Sequence, residues 1–541
     1  MREHWAGRGV DLLLEVPARG GRRRALEEAL RAAVRDGRLP PGARVPSTRA
    51  LAAELGLARG TVAAAYDQLV EEGYLTAHPG AHTQVAPQPP PPAGPTLGPA
   101  LGPTLGPTLG PTAATTAAAE PAPFEPATPE PTAPEPTGPY GPGTGVAAGY
   151  GSAAGADADV PRHDLRPGRP DLAAFPARAW LRAVRHVFAT APAHVLGSCD
   201  PRGRIELRAA LAAYLGRTRG VRTTPEQVIV TTGFAQTLGL LAAVLPPGPF
   251  AMEDPGHDFY REVVRRAGRA VVPLPVDELG ARVDTLTPDV AAAVVTPAHQ
   301  YPTGVPLDPA RRRALRAWAA AHDRLVVEDD YDGEFRYDRR PIGALQATAP
   351  GHVLYAGTTS ESLAPGLRLA WAAVPPAWLG PLAEAKLYAD AHTEVPGQLA
   401  LARMIEAHDY DRHVRAARLR YRRRRDLLVA RLAGPGRPLP GLTLPGVPAG
   451  LRALLLLPGD GFSGGPSGGP GDGPGEAEAL AACARRGVAL RPASPLWHSP
   501  GRAAGLLIGY AAPSERGYPP ALDALCAALA ELRRPPARST G

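Results

Sequence analysis

The chain has 541 residues, which corresponds to about three or four structural units and leaves room for at least one large buried core. The 61 glycines and 66 prolines make up close to a quarter of it, so part of the chain is too rich in chain-breaking residues to fold. The net charge is a modest +7, and among 59 basic residues Lys386 is the single lysine. Chemistry that needs a lysine amine is therefore confined to one position.

Cysteine usage and hydropathy exclude further classes. Cys199, Cys483 and Cys526 are widely spaced and odd in number, which argues against a disulfide framework and against a zinc site. The first residues lack a basic stretch followed by an apolar run, and no window approaches the roughly 18 apolar residues of a membrane span. We therefore expect a cytoplasmic protein with no metal site and no membrane partner.

Composition divides the chain into residues 1–86, 87–160 and 161–541. The middle part contains a repeated L-G-P-T unit over residues 97–112 and then a Glu-Pro repeat of period five. It has too few large apolar side chains to offset the entropy of ordering, so we predict a disordered linker rich in Pro, Gly and Ala. A ligand for an SH3-type domain is the alternative, but the Pro-x-x-Pro matches have no basic neighbour.

Helical periodicity begins in the first part. Leu26, Leu30 and Val34 lie four residues apart and predict a helix that ends near Gly37. Ser47 is a good N-cap for a second, short helix with Leu51 and Leu55 on one face.

A third helix is predicted after Gly56, from about residue 59 to 72, and it presents Val62, Tyr66 and Leu69 inward. Glycine and proline after position 72 then indicate a small two-stranded wing.

A helix, a three-residue turn and a second helix form the DNA-reading unit whose second helix enters the major groove with its N-terminal residues first. Arg59, Gly60 and Thr61 would then face the bases. Ten arginines against four acids between positions 19 and 59 predict phosphate contacts from the first two helices and the start of the third. The alternative is a helical bundle with no role on DNA.

The run RLPPGARVPSTRALAAELGLARGTVAAAYDQLVEEGYLTAHPG resembles the winged helix-turn-helix of GntR-family regulators. Three positions depart from that family, with Ala58 in place of the usual serine cap and Ala63 and Ala64 where polar or basic residues are common. The lost cap would cost about 1 kcal/mol of helix stability. The resemblance implies double-stranded DNA as partner, contacted by Ser47, Thr48, Arg49, Arg59, Gly60 and Thr61, with Gly80 and His82 at the wing tip.

The third part alternates short apolar runs with helical patterns, which favours a mostly parallel sheet covered by helices. One helical pattern spans residues 309–322. Further on, a strand-like run at 451–457 and a helical pattern at 476–485 flank a Gly-rich insertion at 459–475. The predicted strands of the large sheet are residues 228–231, 250–252, 270–272, 291–296, 325–328, 353–356 and 369–374.

Ligands of such sheets bind at the carboxyl ends of the strands. Residues 232–236 follow one strand and open a helix, which presents backbone N–H groups to an anion. Acids at 328–330 and hydroxyl groups at 358–360 end two others, with Arg368 close behind. Each pattern alone is also typical of ordinary caps and surface ion pairs.

Together, six segments resemble the pyridoxal-phosphate-dependent fold-type I aminotransferases: LRPG, VIVTTGFAQTL, MEDPG, TPAHQYPTG, VVEDDYDGEFRYD and LYAGTTSESLAPGLRLAW. A GntR-type reader, a linker and this domain resemble the MocR/GabR subfamily of bacterial transcription regulators. The resemblance implies an α+β winged helix-turn-helix followed by an α/β fold-type I aminotransferase-like domain. The latter would have a mostly parallel seven-stranded sheet and a smaller C-terminal α+β subdomain at about 400–535.

The same resemblance assigns a cofactor site for pyridoxal phosphate (PLP) or pyridoxamine phosphate (PMP). Asp329 would pair with the pyridine nitrogen, Tyr331 would donate to the phenolic oxygen, and Tyr301 would lie at the ring edge. His257 stands where the family has an aromatic residue. The phosphate would be held by the backbone of Gly233, Phe234, Ala235 and Gln236 together with Thr358, Ser360 and Arg368.

The pattern fails at the family's Schiff-base lysine, where this chain has Glu361. A carboxylate cannot bond covalently to the cofactor, and Lys386 lies 25 residues further on in a helical stretch. Ser198 also replaces the tyrosine that reaches across the family's dimer. The loss removes both the covalent tether and the base that moves the substrate proton, so we predict no catalytic residue and no transamination.

Three interpretations remain. One is a homodimeric regulator whose domain senses PLP, PMP or a related amine without a covalent bond, with Glu361 facing an ammonium group. In the second, the domain has lost PLP and serves as a dimer scaffold or binds another metabolite. The third is an active transaminase with a DNA reader. Arg491 and Arg502 are candidate partners for an effector carboxylate.

Overall fold

The computed structural model describes residues 22–35, 38–71, 74–77, 83–86, 161–337, 342–458, 474–498 and 505–533. The predicted linker at 87–160, Gly80, His82, Arg502 and residues 459–473 of the predicted insertion lie outside these ranges. None of the helices in the described ranges has the length and apolarity to span a membrane.

The N-terminal body is built from three helices and a two-stranded antiparallel sheet: α1 (Arg22–Arg35), α2 (Thr48–Leu55), α3 (Arg59–Glu71), β1 (Leu75–Ala77) and β2 (Thr83–Val85). The positions predicted to face inward on α1 and α3 are buried, as expected for apolar residues spaced three or four apart on one helix face. The hydroxyl of Tyr66 also donates to the carbonyl of Pro46 at 2.8 Å and holds α3 against the start of α2.

Local signals set the ends of α2. Ser47 has extended backbone angles, and its Oγ accepts a hydrogen bond from the N–H of Ala50 at 3.3 Å. Gly56 adopts the left-handed conformation at φ 66° and ends the helix. Residues 56–58 therefore form the predicted three-residue turn before α3 begins at Arg59.

The larger body alternates helices and strands. Its helices are α4 (Ala177–Thr190), α5 (Ile205–Arg219), α6 (Phe234–Val244), α7 (Asp258–Arg266), α8 (Pro309–His322), α9 (Pro376–Asp390), α10 (Val395–Glu406), α11 (Asp409–Ala433), α12 (Glu476–Arg485) and α13 (Tyr518–Glu531). Its strands are β3 (His163–Asp164), β4 (Val228–Thr231), β5 (Phe250–Asp254), β6 (Val271–Asp277), β7 (Gly280–Ala281), β8 (Ala292–Val295), β9 (Leu325–Asp329), β10 (Val353–Thr358), β11 (Ala370–Ala373), β12 (Arg452–Leu456), β13 (Val488–Ala489), β14 (Arg491–Pro492) and β15 (Gly505–Gly509).

The central sheet has eight strands in the order β4-β11-β10-β9-β8-β5-β6-β7. Strands β5, β6, β8, β9 and β10 pair in parallel, whereas β11 is antiparallel to both of its neighbours. All seven predicted strands form. The eighth, β7, pairs with the end of β6 over two residues and is too short to have a hydropathy pattern.

Helices cover both faces of this sheet, which explains why its central strands are apolar without alternation. On one face α6 and α9 contribute Leu238, Leu241 and Leu382 to the core. On the other, α8 contributes Leu315 and Trp318. The carboxyl ends of β4, β9 and β10 remain on one side, where the polar segments follow them.

A smaller antiparallel sheet, β12-β15-β14, packs with α12 and α13 in the C-terminal part. Leu507 on β15 stands between Leu454 on β12 and Arg491 on β14. Strand β3 pairs with β13, so the chain just after the predicted linker joins this C-terminal sheet region.

Candidate functional site

The reader face of the N-terminal body is open to solvent. Ser47, Arg49, Arg59 and Gly60 are exposed, while Thr48 and Thr61 are half-buried. Apart from its chain neighbours and the backbone of its own helix, no described atom lies within 4 Å of the point where a Cβ on Gly60 would stand. The start of α3 is therefore free to approach another molecule, with the carbonyl of Ala58 accepting the N–H of Thr61 at 3.0 Å in place of a side-chain cap.

In the larger body, the first half of the site lies where β4 passes into α6. We call Gly233, Thr358, Ser360 and Arg368 the glycine end. Gly233 has φ 151° and ψ 164°, and a Cβ there would lie 2.5 Å from Nη2 of Arg368. The guanidinium therefore lies directly against the first turn of α6, where helix N–H groups point outward. No described carboxylate forms an ion pair with Arg368.

Hydroxyl groups complete the glycine end. Thr358 Oγ1 and Ser360 Oγ are 2.9 Å apart, and the N–H of Ser360 donates to Thr358 Oγ1 at 3.1 Å. A cation, two hydroxyls and a helix N-terminus are the groups that bind a phosphate. One of the four predicted backbone donors already has a partner, because the N–H of Gln236 donates to the carbonyl of Gly233 at 3.0 Å. The N–H groups of Gly233, Phe234 and Ala235 remain.

The side chain of Gln236 turns away from this anion site. Its Oε1 accepts from the N–H of Thr232 at 3.0 Å, and its Nε2 donates to Asp390 at 2.7 Å. Lys386 on α9 completes this cluster: it is fully buried, and its Nζ lies 2.7 and 2.9 Å from the two carboxylate oxygens of Asp390. The single lysine is therefore held in an ion pair on the helix that the sequence predicted.

The second half of the site, the acid end, consists of Asp329, Tyr331, Glu361 and Arg452. Asp329 ends β9 and is only 8% exposed. Burial raises its pKa well above the ordinary value, and the charges of Asp330, Asp332 and Glu253 act in the same direction. No side chain in the described ranges donates a hydrogen bond to it. Its carboxyl group is thus available to a ligand that brings a proton or a positive charge.

The neighbours of Asp329 are satisfied within the chain. Asp330 forms a buried ion pair with Arg219 at 2.6 Å. The hydroxyl of Tyr331 donates to the carbonyl of His299 at 3.0 Å, and Nδ1 of His299 lies 2.8 Å from Asp332. The hydroxyl of Tyr331 therefore already has an acceptor. To donate to a ligand, as the family resemblance implies, it would have to give up its hydrogen bond to His299.

Glu361 is buried and paired with an arginine from the C-terminal sheet. Its Oε1 lies 2.5 Å from Nη2 of Arg452, the first residue of β12. Oε2 of Glu361 and Nε of Arg452 are both buried with no hydrogen-bond partner in the described part of the chain. Burial raises the pKa of Glu361, although Arg452 opposes this. The carboxylate thus already faces a cation of its own chain.

Aromatic rings surround this ion pair. The guanidinium of Arg452 lies 5.0 Å from the ring centre of Tyr301 and 4.7 Å from that of Tyr331. The ring of His257 stacks on Tyr301 at 4.8 Å and 20°. Burial, together with the nearby charge of Arg491, lowers the pKa of His257 to about 3, so this ring is neutral. Arg491 is itself paired with Asp258 at 2.5 Å.

Two family descriptions match the chain: "Aminotransferase class I and II" over residues 165–502 and "Bacterial regulatory proteins, gntR family" over residues 22–85. The pyridoxine biosynthesis transcriptional regulator PdxR of Corynebacterium glutamicum is 31% identical, over 80% of this chain and 82% of its own length. The probable rhizopine catabolism regulatory protein MocR of Rhizobium meliloti is 32% identical, over 75% of this chain and 76% of its own. The chain belongs to the MocR-like regulators.

The fold of the larger body in this MocR-like regulator also occurs in solved enzymes. The kynurenine aminotransferase of Pyrococcus horikoshii, solved in complex with PMP, superposes with a TM-score of 0.61 at 24% identity. The match covers 70% of this chain and 93% of that enzyme. At this identity the likeness establishes the fold. The predicted fold class, a GntR-type winged helix-turn-helix joined to a fold-type I aminotransferase domain, is therefore confirmed.

Sequence analysis of this regulator missed Arg452 and the pairing of Lys386 with Asp390. One feature of the sequence could have identified Arg452: it is the single charged residue in the apolar run at 451–457. A buried charge needs a partner, so a lone arginine at the start of a core strand points to a distant carboxylate. The partner itself, 91 residues away, has no local sequence signature.

Proposed function

We propose that this MocR-like transcription regulator senses PLP, PMP or a related amine in its aminotransferase-like domain without a covalent bond. The observation that carries the proposal is the pairing of the two residues that matter most for covalent chemistry. Glu361, at the proposed Schiff-base lysine position, is bound to Arg452, and the one lysine of the chain is bound to Asp390. Neither offers a free amine to the acid end.

The residues present fit a phosphorylated pyridine. Arg368 over Gly233, with the first N–H groups of α6, would hold the phosphate. The unpartnered carboxyl of Asp329 would hold the proton of the pyridine nitrogen. When bound, such a ring supplies an electron-withdrawing group to attached carbon atoms. The lysine amine that moves the substrate proton in the family is absent from this position, and the carboxylate that replaces it is held by Arg452.

A second function is favoured by a different observation. The guanidinium of Arg452 lies against Tyr301 and Tyr331, and His257 stacks directly on Tyr301. These side chains of the protein occupy the cleft themselves. This arrangement suits a domain that has lost the cofactor and serves as a dimer scaffold.

Absorbance and calorimetry of the full-length protein separate these functions. We expect PLP or PMP to bind in calorimetry and borohydride to leave no reduced adduct on Lys386 by mass spectrometry. The matched control is Glu361→Lys, which restores the amine and is expected to form a reducible adduct with PLP. A reduced adduct on Lys386 of the unaltered protein contradicts the sensor proposal, and failure of both ligands to bind supports the scaffold.

For the reader, we propose that Ser47, Thr48, Arg49, Arg59, Gly60 and Thr61 contact DNA, with Gly80 and His82 at the wing tip. Replacing Arg59 with alanine should weaken binding to the protein's own promoter region by about 1–3 kcal/mol if it contacts a base. Fluorescence anisotropy measures this, with Arg266→Ala as a control at an arginine whose side chain is 79% exposed on α7. Equal affinities of Arg59→Ala and the unaltered protein would contradict the proposed contact between Arg59 and DNA.

We also propose a homodimer in the bacterial cytoplasm, with a reader at 1–86, a linker at 87–160 and the sensor domain at 161–541. Support for the dimer comes from α4, where Leu181 and Phe188 are 49% and 57% exposed and lie seven residues apart on one face. Analytical ultracentrifugation of Phe188→Glu is expected to show monomers. A dimer of unchanged affinity excludes this face as the interface.

A further inference from the structure

More carboxyl groups than cations surround the acid end. The carboxyl groups of Asp330, Asp332 and Glu253 raise the pKa of Asp329, and the guanidinium of Arg452 lowers it. Asp332 has His299 at 2.8 Å, and Asp330, just beyond, is matched by Arg219. Asp329 and one oxygen of Glu361 are left without a partner in the described ranges.

Of the two, Oε2 of Glu361 is a fully buried atom, which makes it costly unless something binds there. An unsatisfied buried polar atom costs about 1–3 kcal/mol, and more when the group is charged. Glu361 is 8% exposed, and its Oε1 is fixed by Arg452 at 2.5 Å, so Oε2 cannot turn away without breaking that bond. In the ionised carboxylate, Oε2 is an acceptor and favours a donor with a positive charge.

We infer that Glu361 recognises a primary ammonium group at the 4′ position of the cofactor ring, so that the domain takes the amine form, PMP, in preference to the aldehyde or alcohol form. This inference rests on the proposed function and names its ligand. Asp329 accepts a hydrogen bond from the pyridinium N–H, Glu361 binds the ammonium, and Arg368 binds the phosphate. The ligand thus brings two positive charges to the acid end and its negative charge to the glycine end.

The two related ligands lack this match. The aldehyde of PLP is a hydrogen-bond acceptor and meets a carboxylate with no amine nearby to react with. The alcohol of pyridoxine 5′-phosphate donates a hydrogen bond but carries no charge, and neutral hydrogen bonds are roughly half as strong as charge-assisted ones. Arg452 is the positioning residue, because it fixes which oxygen of Glu361 remains available.

Calorimetry of the full-length protein with PMP, pyridoxine 5′-phosphate and PLP at neutral pH tests this without any substitution. We expect PMP to bind about 10- to 100-fold more tightly than pyridoxine 5′-phosphate, the difference that a hydrogen bond to a charged group makes. Equal affinity for these two ligands overturns the inference while the proposed sensor stands. If none of the three binds, the proposed function fails as well.

Two variants locate the effect. Glu361→Gln keeps the size of the side chain and is expected to abolish the preference for PMP over pyridoxine 5′-phosphate. Arg368→Ala is the matched control at the glycine end and should weaken all three ligands to a similar extent. Circular dichroism and promoter binding show whether each variant is folded. A preference for PMP that survives Glu361→Gln in a folded protein contradicts the assignment.

Discussion

The two ends of the site differ in how their charges are neutralised. At the glycine end, Arg368 lies against Gly233 with no carboxylate partner in the described ranges, so its charge is available to an anion. At the acid end, Arg452 is paired with Glu361 and lies against two aromatic rings. The two arginines thus stand on separate parts of the site, one without a carboxylate partner in the described ranges and the other already paired.

The strongest way to break this comparison is to remove Arg452. Arg452→Met leaves Glu361 as an unpaired buried carboxylate, and we expect a loss of about 3–5 kcal/mol in the free energy of unfolding. Urea unfolding followed by circular dichroism measures it. The double variant Glu361→Gln/Arg452→Met is the control and should regain most of the loss, because no charge is left unpaired. A loss below about 1 kcal/mol in the single variant would show that the ion pair is not buried.

Glu253 provides a pH test of the same region. Burial raises the pKa of this carboxyl from 4.5 to about 7, although hydrogen bonds from Thr296 and Gln300 oppose the shift. The folded protein therefore holds a proton that the unfolded chain releases. Its contribution to stability is complete below pH 4.5 and is lost as the pH rises towards about 7.

Glu253→Gln should remove this dependence. We expect the stability of the variant relative to the unaltered protein to rise by about 3 kcal/mol over that pH range. Chemical unfolding at a series of pH values gives the difference directly. A difference that stays constant with pH contradicts the buried, protonated state of Glu253.

The smallest effect tests the glycine end. In Gly233→Ala, the new Cβ would lie 2.5 Å from Arg368 in a backbone conformation that side chains rarely adopt. We expect a loss of roughly 1–3 kcal/mol in thermal unfolding, together with weaker binding of all phosphorylated ligands.

Gly239→Ala, on the same helix α6, is the matched control. Apart from its chain neighbours and the backbone of its own helix, no described atom lies within 4 Å of its Cβ position, so this substitution should stabilise the protein by about 0.5–1 kcal/mol. Equal effects of the two substitutions would mean that Arg368 does not depend on Gly233.

Local patterns predicted elements well in both bodies. The helix Pro309–His322 and the helix Glu476–Arg485 formed with the predicted bounds, because each has a clear apolar stripe and a clear start. The cap at Ser47 and the break at Gly56 were also correct, since both act through hydrogen bonds within three or four residues. Strand β7 was missed because two residues paired to the end of β6 carry no periodicity.

The site was harder to predict than the elements that hold it. Its residues came from segments that resemble the aminotransferases, and the structure brings Tyr301, Tyr331 and Glu361 together around Arg452. What the segments did not indicate was that Tyr331 is bonded to His299 and that Gln236 turns towards Asp390. Both hydrogen bonds depend on which side chains the neighbouring strands and helices place within bonding distance.

The amino-acid sequence by itself determined the order of the elements, the presence of glutamate at position 361 and the single lysine at position 386. Only the tertiary structure decided that Glu361 is paired with Arg452 across 91 residues and that Lys386 is buried beside Asp390. The physical reason is range. Periodicity and caps act over a few residues, whereas a charge buried on folding must find its partner among whatever side chains the packed sheets place next to it.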